Sequence, residues 1–589
     1  MTTMQSLVGD GRWPDGRVTS AETVRLRETS RALRAHLDTL PAVFHFDEPG
    51  DQFLAESAFP FARWRYGCAT SLLGSGIGGT VVGALARSLF EDGLRWQWIG
   101  QSPAERRPTL LSSMLLERDR ICGYLEDHDV SCPNLPRWFV PLSGVTDLTG
   151  SSLDWLSAPD APNAEELLDA FLASSPAAPD PARLTGGGVQ DLLETARGML
   201  AVSGLRGAVT VLAHAGHGNL LGLQSTVTAD GVPGHDLRAD HEALFIHVAA
   251  VGVTVTLLGA CCAVPECWPE EVDQAGFLGT AVRLTEEVVQ AANVVHGLGH
   301  AQPASAPVKV RQSQRPSRIR PAALVAAGDV LPDVASADHV IAAVKEYEAA
   351  VGSWCPRPWA HGDAKLASIL AHAGARSAFA TVVNTYDQHG AVAAVFSARM
   401  LLEEAARFSW LTDDPDDGTF LERSKRYFDE FRARKKKAVA RFTGNGVGLR
   451  AARRLLELPD TIAEGPDDIA KGRLQLPPID QMLLQMGAPY PEPGWLPVAY
   501  SLLSQVTHST PIGLTHMARF LDGTLYAHEP SPEMLALALD TACLASAGLL
   551  GTSGVLLDHG SETSQKYRLE LTRRALAVHG AARMVHGLD

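Results

Sequence analysis

Arg399, Glu403 and Arg407 stand at intervals of four residues. On a helix that spacing puts all three side chains on one face. Bulky apolar residues flank the row, so it is expected to face a helix seam. Charges taken out of water there must be paired, because an isolated one costs several kcal/mol. Such a row either ties helices together as an ion-pair ladder or lines a polar pocket. Tyr500, Ser504 and His508 also step by four and give a second helix face with three hydrogen-bonding tips. A histidine beside hydroxyls can act as a general acid or base near neutral pH. The chemical expectation is therefore that His508 carries protons, while Glu403 and Arg399 orient it or the substrate and Tyr500 and Ser504 assist. The structural expectation is a satisfied core histidine and a ladder without chemistry.

The elements that carry these residues occur twice. Residues 86–99 read ARSLFEDGLRWQWI and residues 398–411 read ARMLLEEAARFSWL, 312 positions apart. Arg87, Glu91 and Arg95 thus match Arg399, Glu403 and Arg407. Downstream, HGNLLGL at 217–223 matches HSTPIGL at 508–514, 291 positions apart. Two separated matches in the same order are the signature of an internal repeat. Val209 and Ala213 stand where the second copy has Tyr500 and Ser504, so any chemistry is expected in the second copy. The periodicity is helical, and no alternating run demands a sheet. The expected fold is all-α: two tandem helical-bundle repeats, 1–302 and 323–589, forming an intrachain pseudo-dimer. A linker rich in Pro, Ser and Arg spans 303–322. The segment through Leu40 reads as a solvated helix appended to the first unit.

The order of Arg-x-x-x-Glu helix, charged middle helix and Tyr-x-x-x-Ser-x-x-x-His helix resembles the HEPN-like helical families of bacteria, including abortive-infection-type members. The resemblance covers the motif-bearing helices only. It implies bundles that dimerise and, in many members, metal-independent ribonuclease activity in defence systems. The ribonuclease signature of that superfamily, an Arg followed after four to six residues by His, does not precede His508 or His217. On this resemblance the expectation is a cytoplasmic, RNA-associated protein without a cofactor.

Other patterns suggest other chemistry. Arg432, Arg434, Lys435, Lys436 and Lys437 form the dense basic run, flanked by Glu422, Asp429 and Glu430. They offer phosphate contacts to RNA or a solvated helix face. The net charge of −16 argues against broad nucleic-acid binding. Asp413, Asp414 and Asp417 fit the Asp-Asp-x-x-Asp spacing with which all-helical terpene-cyclase-type enzymes hold magnesium on a prenyl diphosphate. In that alternative, an apolar small molecule would lie against aromatics such as Trp410 and Tyr427. A non-catalytic scaffold or small-molecule-binding protein is the third reading. The glycine run at 74–79 reads as a loop or a close helix approach. The eight cysteines include no Cys-x-x-Cys pair, and reduced thiols are expected. The apolar run 248–264 reads as a buried core helix rather than a membrane span.

Overall fold

The computed structural model describes residues 20–40, 58–107, 162–173, 205–217, 237–298, 337–356, 363–456, 476–488, 494–527 and 530–587, apart from a few loop positions within them, and scattered residues between 109 and 192. The expected linker lies outside the described residues.

The fold is all-α. The first half contributes α1 (Ser20–Leu37), α2 (Pro60–Leu72), α3 (Gly79–Gln101), α4 (Ala164–Ala173), α5 (Leu205–Gly216), α6 (Ala239–Ala263) and α7 (Gln274–His296). The second contributes α8 (Asp338–Gly352), α9 (Asp363–Thr385), α10 (Ala391–Thr412), α11 (Asp417–Thr443), α12 (Leu449–Leu455), α13 (Ile479–Gly487), α14 (Trp495–Thr507), α15 (Pro511–His516), α16 (Pro532–Leu557) and α17 (Glu562–His586). One antiparallel hairpin, β1 (Ala518–Leu521) and β2 (Thr524–Ala527), interrupts the helices. The sequence reading did not anticipate it. Asp522-Gly523, between the strands, is a dipeptide that two-residue hairpin loops favour.

Two central helices organise the core. α6 is apolar all round and buried along nearly its whole length, as is α16. Both are long and apolar enough to cross a membrane, yet both lie packed inside the protein. α6 runs against α3 and α7, and α16 runs against α10 and α17. The α3–α6 approach depends on glycine. A Cβ on Gly252 would sit 2.7 Å from the Phe90 nitrogen, and one on Gly259 would sit 2.6 Å from the Gln97 nitrogen. Both contacts are to backbone, which cannot step aside as a side chain can.

α1 is a packed element, not a solvated appendage. Leu26, Ser30, Leu33 and Leu37 form a fully buried stripe at helical spacing. Arg27 anchors it through Nε and Nη2 to the Glu242 carboxylate on α6, at 2.6 and 2.7 Å. α1 packs on α7, and α8 packs on α17. α5 lies on α3, α14 lies on α10, and α3 and α10 meet each other at the seam between the halves.

Candidate functional site

The two arginine–glutamate rows lie on α3 and α10, as the spacing predicts. The two histidines close the C-terminal turns of the helices that flank them. The His217 amide donates to Ala213 O at 3.1 Å after α5, and the His508 amide donates to Ser504 O at 2.9 Å after α14. Each histidine therefore sits where a helix stops, with its ring turned into the seam.

His217 is fully engaged. Its Nδ1 lies 3.0 Å from Glu403 Oε2, and Arg87 Nη1 lies 3.1 Å from its Nε2. A guanidinium only donates, so Nε2 accepts and Nδ1 carries the proton toward Glu403. Arg407 Nη1 donates to the His217 carbonyl at 2.8 Å. Burial, then the charges of Arg399 and Arg87, lower the His217 pKa to about 4 against the pull of Glu403. The ring is neutral at physiological pH.

His508 is arranged similarly but left open. Glu91 Oε2 lies 3.7 Å from its Nδ1, within electrostatic reach but longer than a hydrogen bond. Arg95 donates to the His508 carbonyl from both Nη atoms at 3.3 Å. Its Nε2 makes no hydrogen bond among the described residues, and 40% of the side chain is exposed, against 27% for His217. Burial lowers the His508 pKa, Glu91 opposes, and Arg399 and Arg87 lower it further.

The carboxylates are exchanged between the halves. The sequence reading groups Glu403 and Arg399 with His508 because all three lie in the second repeat. Instead Glu403 takes His217, and Glu91 of the first half stands beside His508. The cause is the direct meeting of α3 and α10, which brings each row to the other half's histidine. Glu403 is the more enclosed carboxylate. Its Oε2 also accepts from Tyr500 OH at 3.3 Å and lies 3.4 Å from Arg399 Nη1, while Oε1 accepts from Arg407. Burial works to raise its pKa, but Arg407, His217 and Arg399 hold it well below the usual carboxylate range. Burial likewise opposes the ionised Glu91, and Arg87 and His508 hold its pKa far down.

The Tyr500 and Ser504 hydroxyls make no hydrogen bond to the His508 ring. They hold Arg399, which donates from Nε to Ser504 Oγ at 3.1 Å and from Nη2 to Tyr500 OH at 2.8 Å. Its Nη1 donates to Gly216 O at 2.9 Å. Further out, Arg65 pairs with Asp92 at 2.5 Å and with Ser88 at 2.6 Å. Tyr427 on α11 donates to Glu404 Oε1 at 2.8 Å. Burial raises the Glu404 pKa to about 7, against Arg407 and Tyr427.

The basic run is partly turned inward. Arg432 pairs with Asp429 at 2.8 Å, and Arg434 pairs with Glu430 and lies 3.4 Å from His214 Nδ1. Lys435 is half-buried, while Lys436 and Lys437 are exposed. Of the acidic run, Asp413 is exposed and accepts from Gln485. Asp414 and the Asp417 side chain lie outside the described residues. Among the described residues no three His, Cys, Asp or Glu side chains group as a metal site. Trp410 and Tyr427 are buried, but against Arg423 and Glu404 respectively.

Sequence reasoning passed over Arg87, Glu91 and Arg95 as neighbours of His508. The signal available was the match between the two motif rows, which puts Arg87, Glu91 and Arg95 beside Arg399, Glu403 and Arg407 as equal candidates. Compared with protein-family models, curated proteins and solved structures, the chain matches none.

Proposed function

We propose that the chain is a tandem duplication whose copies pack as two subunits would, and that the seam between them is a metal-independent acid–base site for RNA. The duplication reading gains support from three features beyond the motif rows. AANVVHGL at 291–298 parallels AARMVHGL at 581–588, 290 positions apart. α7 and α17 both end on a left-handed glycine within that match, Gly297 and Gly587. Arg106 donates to Trp98 O at 2.5 Å and lies over that ring, and Arg423 donates to Trp410 O at 2.6 Å and lies over its ring.

The observation that carries the function is the half-exposed His508, with Nε2 free of any hydrogen bond among the described residues, beside Glu91 and within the field of Arg87 and Arg399. Arg87, Arg95, Arg399 and Arg407 stand against Glu91, Asp92, Glu403 and Glu404, of which burial holds Glu404 toward its neutral form, so the balance leans toward an anion. A neutral imidazole there accepts the proton of a ribose 2′-hydroxyl as that oxygen attacks phosphorus. The P–O5′ bond breaks, and the departing oxygen takes a proton from water. The arginines stabilise charge developing on the phosphoryl oxygens. The resemblance to HEPN-like defence proteins points to the same substrate class, with the histidine and the arginines drawn from different helices. Exposed Lys436 and Lys437 supply a local contact on a chain too acidic for general RNA binding.

The test is incubation of the purified protein with single-stranded and structured RNAs in EDTA, with His508→Ala alongside. Cleavage leaving 2′,3′-cyclic phosphate ends, lost in His508→Ala, supports the reading. Absence of both cleavage and RNA retardation on gels refutes it. A non-catalytic reading is favoured at His217, where each ring nitrogen and the carbonyl oxygen already has a partner.

A further inference from the structure

The two histidines occupy corresponding places yet end in different states, and the difference traces to two side chains. In the first half Arg87 bonds the histidine of its own half, with Nη1 3.1 Å from His217 Nε2. The positions four and eight residues before His217 are Ala213 and Val209, which offer Arg87 no side-chain acceptor. In the second half the corresponding positions are Ser504 and Tyr500, and both accept from Arg399. The Tyr500 ring also lies under the guanidinium, 5.0 Å from its centre. Arg399, the counterpart of Arg87, is thereby held off His508, whose Nε2 stays open among the described residues.

We propose that Tyr500 and Ser504 are positioning residues that restrain Arg399 and so keep His508 as the single open histidine of a paired seam, the His217 half being closed by Arg87. The inference rests on the functional reading above only for its consequence, that the duplicated protein works through one site. The structural claim stands on geometry. Two hydroxyls and one ring face engage the guanidinium, and Nε, Nη1 and Nη2 all have acceptors. Removing both hydroxyls frees two of those groups. The freed groups can then take up the arrangement of Arg87, which gives Nε to Glu91 and Nη1 to His217 Nε2: one nitrogen to Glu403, already 3.4 Å away, and another to the Nε2 lone pair of His508.

The experiment reads histidine accessibility directly. Wild-type protein and Tyr500→Phe/Ser504→Ala are treated with diethylpyrocarbonate, and carbethoxylation of His508 and His217 is followed by peptide mass spectrometry. In wild type, His508 reacts and His217 is protected. In the double variant His508 reactivity falls about tenfold, the worth of one net hydrogen bond, while His217 is unchanged. Adding Arg399→Met to that variant restores His508 reactivity. Tyr500→Phe alone, which keeps Ser504, gives an intermediate rate. Equal His508 reactivity in wild type and the double variant overturns the proposal, as does a loss that Arg399→Met does not reverse. Circular dichroism confirms that each variant is folded. The readout does not depend on turnover, so the expected labelling pattern without RNA cleavage would sink the functional reading and leave this inference standing. RNA cleavage with unaltered labelling would do the reverse.

Discussion

Glu403→Gln should destabilise the protein far more than Glu91→Gln, although the residues hold the same place in their motifs. Both oxygens of Glu403 accept: Oε1 from Arg407, and Oε2 from His217 Nδ1 at 3.0 Å and Tyr500 OH at 3.3 Å. A glutamine has one accepting oxygen, so its NH2 must face a donor. The site offers little relief by water, because the Glu403 side chain is 4% exposed. Arg407 would keep the His217 carbonyl and, as carboxylate, Glu404 at 3.8 Å, and Arg399 would lose the carboxylate 3.4 Å from its Nη1. Removing one partner of a buried ion pair costs about 3–5 kcal/mol. Glu91 has one strong donor, Arg87 Nε at 2.7 Å, and its other oxygen faces His508 across 3.7 Å. A neutral imidazole can present a lone pair to the new amide, so the loss is about 1–2 kcal/mol. Urea unfolding followed by far-ultraviolet circular dichroism, extrapolated with a common slope, gives both values. A difference below about 0.5 kcal/mol, or a larger loss in Glu91→Gln, would refute the assignment of Glu403 as the enclosed hub, since the argument requires a gap of about 2 kcal/mol.

Three further outcomes follow from the same geometry. Gly252→Val should lower stability by about 3 kcal/mol in the same urea assay, because its Cβ would press on the Phe90 backbone at 2.7 Å; a loss under about 1 kcal/mol would contradict the close approach of α3 and α6. Stability should fall on acidification between pH 6.5 and 4. His217, His241, His372 and His586 have pKa values lowered from 6.5 to about 4 by burial, so the unfolded chain binds protons there that the folded one refuses. Glu404 acts with the opposite sign: its pKa is raised from 4.5 to about 7 by burial, so its contribution is present below 4.5 and lost as the pH rises to 7. Scanning calorimetry from pH 4 to 7.5 should show Tm rising overall, with a flat or falling profile ruling out the buried neutral histidines. Glu404→Gln should steepen that rise while costing less than about 1 kcal/mol at neutral pH, because the amide resembles the protonated acid; an unchanged slope would remove Glu404 from the account.

Much of the helical architecture was legible because α3 and α10 carry charges every four residues among apolar residues that do not alternate, which fits a helix and not a half-buried strand. The apolar run 248–264 inside α6 was legible as core because it falls short of a span, and the stretch inside α16 because it carries Asp540. α1 was misread because its many arginines mask the stripe Leu26, Leu33 and Leu37. Three leucines sufficed to dock that helix, and composition averaged them away. The hairpin was missed because its strands are only four residues long, too short for a period to register. At the site, residue types were legible and partners were not. His508 was paired with Glu403 because both lie in one repeat. Which glutamate reaches which histidine depends on how α3 crosses α10, and no local spacing encodes that crossing. The role of Tyr500 and Ser504 inverted for the same reason: their helix face was correct, but an arginine from α10 occupies it before the histidine can.

The seam also bears on why a charged network stands where α3 meets α10. Buried ion pairs add little net stability, since well-packed apolar residues of similar volume often do as well or better. Stability here comes from α6 and α16, whose burial is extensive and non-directional. Non-directional packing does not choose one docking of α3 on α10 over a neighbouring one. The exchanged pairs do, because His217 meets Glu403 and His508 meets Glu91 only in one register. A one-turn slip would leave the pairs within α10 intact but take His217 away from Glu403 and its carbonyl away from Arg407, leaving buried polar groups short of partners. An ion-pair row retained for register alone would be expected to close both histidines alike. The second one is open, and it is open because a tyrosine and a serine, absent from the first half, draw away the arginine that would have closed it.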